Sequence, residues 1–398
     1  MTDKKPAPKN KGSFLPNLIL AGVSALFTLI FLELGARAYL FHFATDDDFT
    51  TFASLKQLEK ASRQGKVGGD PQISHHRYLG YTLTPNYEDD ENRHNSLGYR
   101  GEEIIQPKPE GEFRIVCIGG STTYTTRVDD YRLSYPDLLE KELQERGYTN
   151  VNVVNAGVPG WESWNFLIDF ELRTLDLDPD MIIVYSGYND FKPRVVEPES
   201  YKGDNSGRAA PMIERVYMPG WLEYSTLYRI VAILSGWMEP HTSYNTINSS
   251  PKSYLADEFH DQLEDGTYPT DEFEEMTVQE ILQANPPIYY QRNIENIVAI
   301  AQSRNIKVML ATMALFSQRP DIDQRAGSPE YQFAIAEHNQ VLKNIAQRRN
   351  VSLLDFAATF PRQEQYYDDG VHVTEAGSRL KAQMFANFIV EQSLVPKE

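Results

Sequence analysis

From Phe113 onward, short apolar runs alternate with longer segments in which apolar residues recur every three or four positions. The runs Phe113 to Ile118, Val151 to Asn155, Met181 to Ser186, Lys307 to Ala311 and Val351 to Phe356 are apolar at nearly every position, which predicts strands buried on both faces. The spacing between them predicts helices over Ser134 to Arg146, Trp164 to Leu177, Tyr289 to Arg304, Tyr331 to Arg348 and Thr374 to Gln392. Strands of this kind alternating with helices predict an α/β domain, a parallel five-stranded sheet with helices on both faces. In such a sheet, ligands bind outside the carboxyl ends of the strands.

The N-terminal pattern is different. A tail carrying Lys4, Lys5, Lys9 and Lys11 precedes an uncharged stretch from Ser13 to Leu32 that stops at Glu33. About 20 residues at a rise of about 1.5 Å cover the roughly 30 Å hydrocarbon core of a bilayer. The apolar residues surround this helix instead of forming the single stripe of a soluble core helix. The run is long for a cleaved signal peptide, and the small-x-small site nearby, Ala36-Arg37-Ala38, has an arginine inside it. Residues 1–12 therefore read as a cytoplasmic basic tail and residues 13–43 as a transmembrane signal anchor, with everything beyond Phe43 extracytoplasmic, periplasmic or extracellular. Residues 44–112 read as a juxtamembrane linker and N-terminal extension. Its first part, "SLKQLEKASRQGK", has helical spacing, and Gly69 to Glu112 is rich in Gly, Pro, Asn and Tyr, as expected of irregular structure laid on a domain surface.

Composition narrows the classes. At 398 residues and 41% hydrophobic, the chain can bury a substantial core. A net charge of -18 excludes tight binding to a nucleic-acid backbone, which needs clustered Lys and Arg. The single cysteine, Cys117, rules out an intramolecular disulfide and reads as a buried thiol. His75, His76 and His94 are of a metal-ligating type, but no helical i, i+4 pair or nearby cysteine supports a site, and no metal or organic cofactor is expected.

The polar residues collect at predicted strand ends. The first strand ends at Gly119-Gly120-Ser121-Thr122, the second at Asn155-Ala156-Gly157 and the third at Gly187-Tyr188-Asn189-Asp190, while "YYDDGVHVTEAGSRL" sets Asp369 and His372 three apart before the last helix. In this order the four blocks resemble the SGNH or GDSL hydrolase family, over Phe113 to Asp190 and about Tyr289 to Leu394. The resemblance implies a three-layer, flavodoxin-like α/β/α fold for residues 113–398, with an insertion at about 191–288. It also implies Ser121 as nucleophile with Asp369 and His372 completing a triad, and an oxyanion hole of Ser121, Gly157 and Asn189. The departure is Gly120, where the family's namesake motif has an aspartate.

The chemistry fits those residue types. A serine hydroxyl is a weak nucleophile that needs an imidazole base, and a carboxylate orients the imidazole and stabilises its protonated form. The tetrahedral intermediate needs donors fixed in advance for its oxyanion. Each block alone also reads as capping: Gly-Gly-Ser-Thr as a strand-to-helix turn, and Asp369-Gly370 as a turn before a helix capped by Thr374. A phosphate loop is disfavoured because "GGSTTYTT" lacks the P-loop lysine and the G-x-G-x-x-G pattern, and the G-x-S-x-G elbow is absent as well. The insertion, with Trp221, Trp237 and many tyrosines, reads as a lid or specificity element, and Trp161 and Trp164 as substrate-facing or core aromatics.

The expectation is a membrane-anchored extracytoplasmic serine esterase that hydrolyses acyl esters, small-molecule or carbohydrate, through an acyl-enzyme, with O-acetyl groups of envelope polysaccharide as one substrate. Two alternatives stand beside it: an acyltransferase with a sugar hydroxyl as second nucleophile, and a non-catalytic binding or assembly protein with a degenerate site.

Overall fold

The computed structural model describes residues 14–62, 71–76, 78–206, 222, 224–238, 240, 255–270, 273–318 and 323–397. The expected basic tail 1–12, the end of the juxtamembrane segment and Trp221 lie outside the described residues. The chain divides into two compact units, Met1–Asp70 with Ile213–Tyr244, and Pro71–Met212 with Asn245–Glu398.

The larger unit holds a hairpin, β1 (Ile73–His76) and β2 (Gly80–Leu83), and a five-stranded sheet. The sheet strands are β3 (Phe113–Gly119), β4 (Val151–Gly157), β5 (Met181–Tyr185), β6 (Lys307–Ala311) and β7 (Ser352–Leu354), in the order β4-β3-β5-β6-β7 with every pairing parallel. Alternate residues of each strand enter opposite cores. Ile115, Cys117, Ile183 and Met309 face the helices Tyr135–Glu145 and Glu375–Glu391, while Val116, Ile118, Ile182 and Leu310 face Ser163–Leu172, Ile288–Ser303 and Pro329–Arg349. This is the three-layer α/β/α arrangement expected, and the predicted strands and helices all form, with ends shifted by a few residues. Cys117 is fully buried, and burial pushes its thiol up to about 12.

The chain leaves β3 for β4 on one side and returns to β5 on the other, so the order reverses around β3. That switch point opens a crevice at the strands' carboxyl ends. Ser121 follows β3 and Asn189 follows β5.

The N-terminal extension has the helical character that its spacing predicts at the start, and more regular structure than expected beyond Gly69. Residues 46–62 form two short helices, Asp46–Phe52 and Leu55–Ser62. The hairpin contributes fully buried Leu79 and Leu83 to the core on one face of the sheet, so part of this segment is structural rather than a surface covering. Four-residue strands such as "ISHH" carry too little alternation to be read as strands.

The insertion is also divided. Its C-terminal helices Ala256–Asp265 and Val278–Ala284 bury Phe259, Val278, Ile281 and Leu282 in one cluster with Phe191 and Val195. Residues 213–244 instead belong to the smaller unit, with the N-terminal helix. That helix, Phe14–His42, is long and apolar enough over Pro16–His42 to cross a membrane.

Candidate active site

The end of β3 is a sharp arrest. After Gly119-Gly120 the chain makes a single helical turn, Ser121–Tyr124, which stops at Thr125 in the left-handed region at φ 69°. Two glycines let this turn sit on the sheet. A Cβ at Gly119 would lie 2.1 Å from Thr123 Oγ1 and 2.4 Å from the Tyr185 carbonyl, and one at Gly157 would lie 2.1 Å from the Tyr124 nitrogen. The capping reading of this block fails, because Gly120 is the N-cap residue and no side chain caps the turn. The one before the last helix holds, with Thr374 Oγ1 accepting from Gly377 N at 3.2 Å.

The Ser121 hydroxyl is committed instead to His372, with Oγ 2.7 Å from Nε2. The Asp369 carboxylate fixes the imidazole. Its Oδ2 lies 2.7 Å from His372 Nδ1, and its Oδ1 accepts from the amides of Val371 at 2.8 Å and His372 at 2.7 Å. A carboxylate only accepts, so Nδ1 carries the proton and Nε2 presents a lone pair to Ser121. Burial raises the Asp369 carboxyl, but the hydrogen bond and charge of His372, with the two amides, outweigh it and hold the group at about 2. Asp369 and His372 are both largely shielded, with 15% and 17% of their side-chain surface exposed. The arrangement can pass a proton from hydroxyl to imidazole next to a fixed anion.

Beside it lies a small depression lined by Gly120, Ser121, Trp161, Gly187, Asn189 and Met313 among others. Asn189 Nδ2 donates to the Trp161 carbonyl at 2.9 Å, which leaves a second N–H on the same nitrogen. That nitrogen would lie 3.0 Å from a Cβ at residue 120, so the glycine that departs from the namesake motif leaves room for the Asn189 amide.

The Gly157 amide does not join them. It donates to Asn155 Oδ1 at 3.1 Å, and the glycine is required by the backbone packed above it. Gly157→Ala is expected to displace the turn that carries Ser121, lowering both the melting temperature and ester turnover. Melting and turnover equal to the parent's would contradict that packing.

Several neighbours have structural roles. Asp190 is buried and accepts from Ser163 N at 3.0 Å and Ser163 Oγ at 2.5 Å, which ties the following helix to the Asn189 turn. Trp161 is buried, with Nε1 donating to the Tyr81 carbonyl at 3.1 Å, so it is a core residue. Trp164 is half-buried beside Tyr201 and Tyr289 in a separate cavity. His94 is enclosed between the Thr84 carbonyl and the Tyr124 hydroxyl, and burial lowers it to about 4. His76 Nδ1 accepts from the amides of Tyr78 and Leu79. Among the described residues no His, Cys, Asp and Glu group suits a metal ion.

Three supports were not read from the sequence. Arg100 is buried and donates to the carbonyls of Tyr124, Thr125, Val128 and Asp129, so it clamps the chain just after the Ser121 turn. Lys381 is buried on the last helix, with Nζ 3.0 Å from the Thr122 carbonyl and 3.8 and 3.7 Å from the ring centres of Tyr135 and Tyr185. Burial lowers its pKa well below the usual lysine value. His338 donates from Nδ1 to the Gly187 carbonyl at 2.7 Å, and burial and the Arg194 charge keep it neutral.

Residues 117–240 match the GDSL-like Lipase/Acylhydrolase family. Solved structures similar to this chain include a lipase/acylhydrolase from Enterococcus faecalis, 16% identical over 72% of this chain and 98% of that one, TM-score 0.40. A GDSL-like lipase from Bacteroides thetaiotaomicron is 15% identical over 73% and 93%, TM-score 0.40, and an acetyl xylan esterase is 16% identical over 69% and 98%, TM-score 0.39. No curated protein matches the chain. The family match spans the segment with Ser121 and Asn189 at its strand ends, so that segment is similar to a GDSL-like lipase/acylhydrolase domain, which supports an ester-hydrolysing enzyme, and it lies on an α/β fold with a parallel five-stranded sheet.

Proposed function

We propose that the protein is a membrane-anchored, extracytoplasmic serine esterase that cleaves acyl esters, O-acetyl groups on carbohydrate among them, through an acyl-enzyme. The observation that carries this reading is the unbroken chain Ser121 Oγ to His372 Nε2 to Asp369 Oδ2, each step 2.7 Å. Ser121 Oγ attacks the ester carbonyl carbon as its proton moves to Nε2. The tetrahedral intermediate collapses with cleavage of the C–O bond, and His372 returns that proton to the departing alcohol. Water, deprotonated by His372, then attacks the acyl-enzyme and releases the acid.

The oxyanion is assigned to the Ser121 amide and the second N–H of Asn189. The further backbone donor is assigned to Gly160 in place of Gly157. Gly160 is exposed, its φ is 78°, and its loop brings the Trp161 carbonyl to 3.4 Å from a Cβ position on Gly120. An active-site serine probe should label the full chain and fail on Ser121→Ala. Equal labelling of both would overturn the reading.

Asn189→Ala should lower kcat by roughly 100- to 1000-fold with little change in KM, because the donor acts on charge that develops only in the transition state. Asp190→Ala should lower the melting temperature through loss of the Ser163 tie, without that split between kcat and KM. Kinetics on a small activated ester and thermal melts separate the two. Lys4, Lys5, Lys9 and Lys11 ahead of the apolar stretch support a cytoplasmic N-terminus. A C-terminal reporter active only in the cytoplasm should therefore stay silent, and a strong signal would reverse the orientation.

A further inference from the structure

The helix Thr226–Leu234 is inside out for a helix in water. Its buried positions are Thr226, Arg229 and Ala232, and Arg229 is the only charged residue in it. Arg229 turns inward, with Nε 3.0 Å from the Phe52 carbonyl and Nη2 2.6 Å from that of Ala53. The opposite face, at i, i+4 and i+7, is Leu227, Val231 and Leu234. Val231 is 53% exposed, Leu234 72%, and Trp237 just beyond is 80%. A surface helix in water shows the reverse pattern.

This helix is fastened at its start to the helix Phe14–His42. The Glu33 carboxylate accepts from the amides of Thr226 and Leu227 at 3.0 Å each and from Ser225 Oγ at 2.8 Å. Arg37 donates from Nε to Glu33 at 2.7 Å and from Nη2 to the Tyr224 carbonyl at 2.8 Å. Glu33 and Arg37 are the charges that interrupt the apolar surface of the long helix, and Leu32, Leu34, Tyr39 and Phe41 remain exposed around them. The short helix thus offers its unbonded first-turn N–H groups to Glu33, which a charge at the edge of hydrocarbon requires. The 29 residues of Phe14–His42 reach about 43 Å, enough for the hydrocarbon core and the headgroup layers, so their C-terminal third falls at a leaflet boundary. Tyr39, on the anchor helix, and Tyr224, whose carbonyl accepts from Arg37, are exposed at that boundary, in keeping with the aromatic residues that gather at membrane interfaces.

We infer that Thr226–Leu234 and Trp237 form a second membrane contact, lying in the leaflet interface at the C-terminal end of the anchor helix with Leu227, Val231, Leu234 and Trp237 on acyl chains. The occupant is lipid because Glu33 and Arg37 join the start of this helix to the C-terminal end of the anchor helix, whose own exposed residues there, Leu32, Leu34, Tyr39 and Phe41, are apolar as well. The inference rests on the membrane-anchor reading.

The test uses the full chain in phosphatidylcholine and phosphatidylglycerol vesicles, with Leu234→Cys or Trp237→Cys carrying an environment-sensitive nitrobenzoxadiazole label. Cys117 is fully buried and leaves the added thiol as the labelling site. Expected are a blue-shifted emission at both positions and loss of most of it when spin-labelled lipids are included, with the chain retained on the vesicles in alkaline carbonate. Water-like emission on a retained chain overturns the inference and spares the anchor. Blue-shifted emission that spin-labelled lipid leaves untouched means that protein, such as a second copy, covers the face, and overturns it too. Release in carbonate removes the anchor reading and this inference with it.

Discussion

Ser121→Ala is expected to lower kcat on a small activated ester by on the order of 10⁶-fold while leaving the melting temperature of the protein nearly unchanged. The separation follows from how little the hydroxyl does for the fold. The turn Ser121–Tyr124 is held by backbone bonds, Thr123 N and Tyr124 N to the Gly120 carbonyl and Thr125 N to the Ser121 carbonyl, and Ser121 Oγ caps none of them. Its partner is His372 Nε2, so alanine removes the attacking atom and leaves the clamp from Arg100 and the seat on Gly157 in place. His372→Ala should fall by a similar factor, and the double variant should be little worse than either single one, because hydroxyl and imidazole act as one unit. Steady-state kinetics with calorimetric melts decide this. Residual turnover within 100-fold of the parent in a folded Ser121→Ala protein would mean that another group is the nucleophile.

Ser121, Asp369 and His372 were legible because each belongs to a short block at a strand or helix end, where local residue type and position are enough to nominate a role. The five strands were legible for a related reason, since burial on both faces makes every position of Met181–Tyr185 apolar. The part played by Gly157 was not legible, because a glycine allows close approach of a ligand and of backbone alike, and its spacing in the chain cannot distinguish the two. Only the position of the Tyr124 nitrogen does so. Arg100, Lys381 and Arg229 were missed for a common physical reason. A lone cation in a polar segment or on an amphipathic helix has the pattern of a solvated residue, and its burial depends on carbonyls and aromatic rings supplied by other parts of the chain. The hairpin Ile73–His76 with Gly80–Leu83 escaped because its strands have four residues each and its buried leucines are isolated, Leu79 in the turn and Leu83 at the end of the second strand.

Asp369→Asn is expected to lower kcat by roughly 10⁴-fold with the fold intact, through the tautomer of His372. In the parent, Asp369 Oδ1 accepts from the amides of Val371 and His372, and Oδ2 faces His372 Nδ1. Those two backbone donors hold an oxygen at the Oδ1 position, so the variant's NH₂ group must face Nδ1. Nδ1 then becomes the acceptor and the ring proton moves to Nε2, which donates toward Ser121 Oγ where it should accept from it. The parent's pH behaviour gives an independent check. The Asp369 carboxyl is held at about 2 against an ordinary 3.8, so it stays ionised throughout the neutral range and does not set the acid limb of activity. The sign for stability follows, because a carboxyl whose pKa is depressed by folding stabilises the fold above its unfolded value and loses that contribution as pH falls through its folded value. The stability advantage of the parent over Asp369→Asn should therefore be constant above roughly pH 5 and shrink as pH falls from 3.8 toward 2. Melts of both proteins across that range, with kcat measured near neutrality, test it. An advantage that persists unchanged at the lowest pH, or a variant that turns over ester within tenfold of the parent, would show that Asp369 does not hold His372 as described.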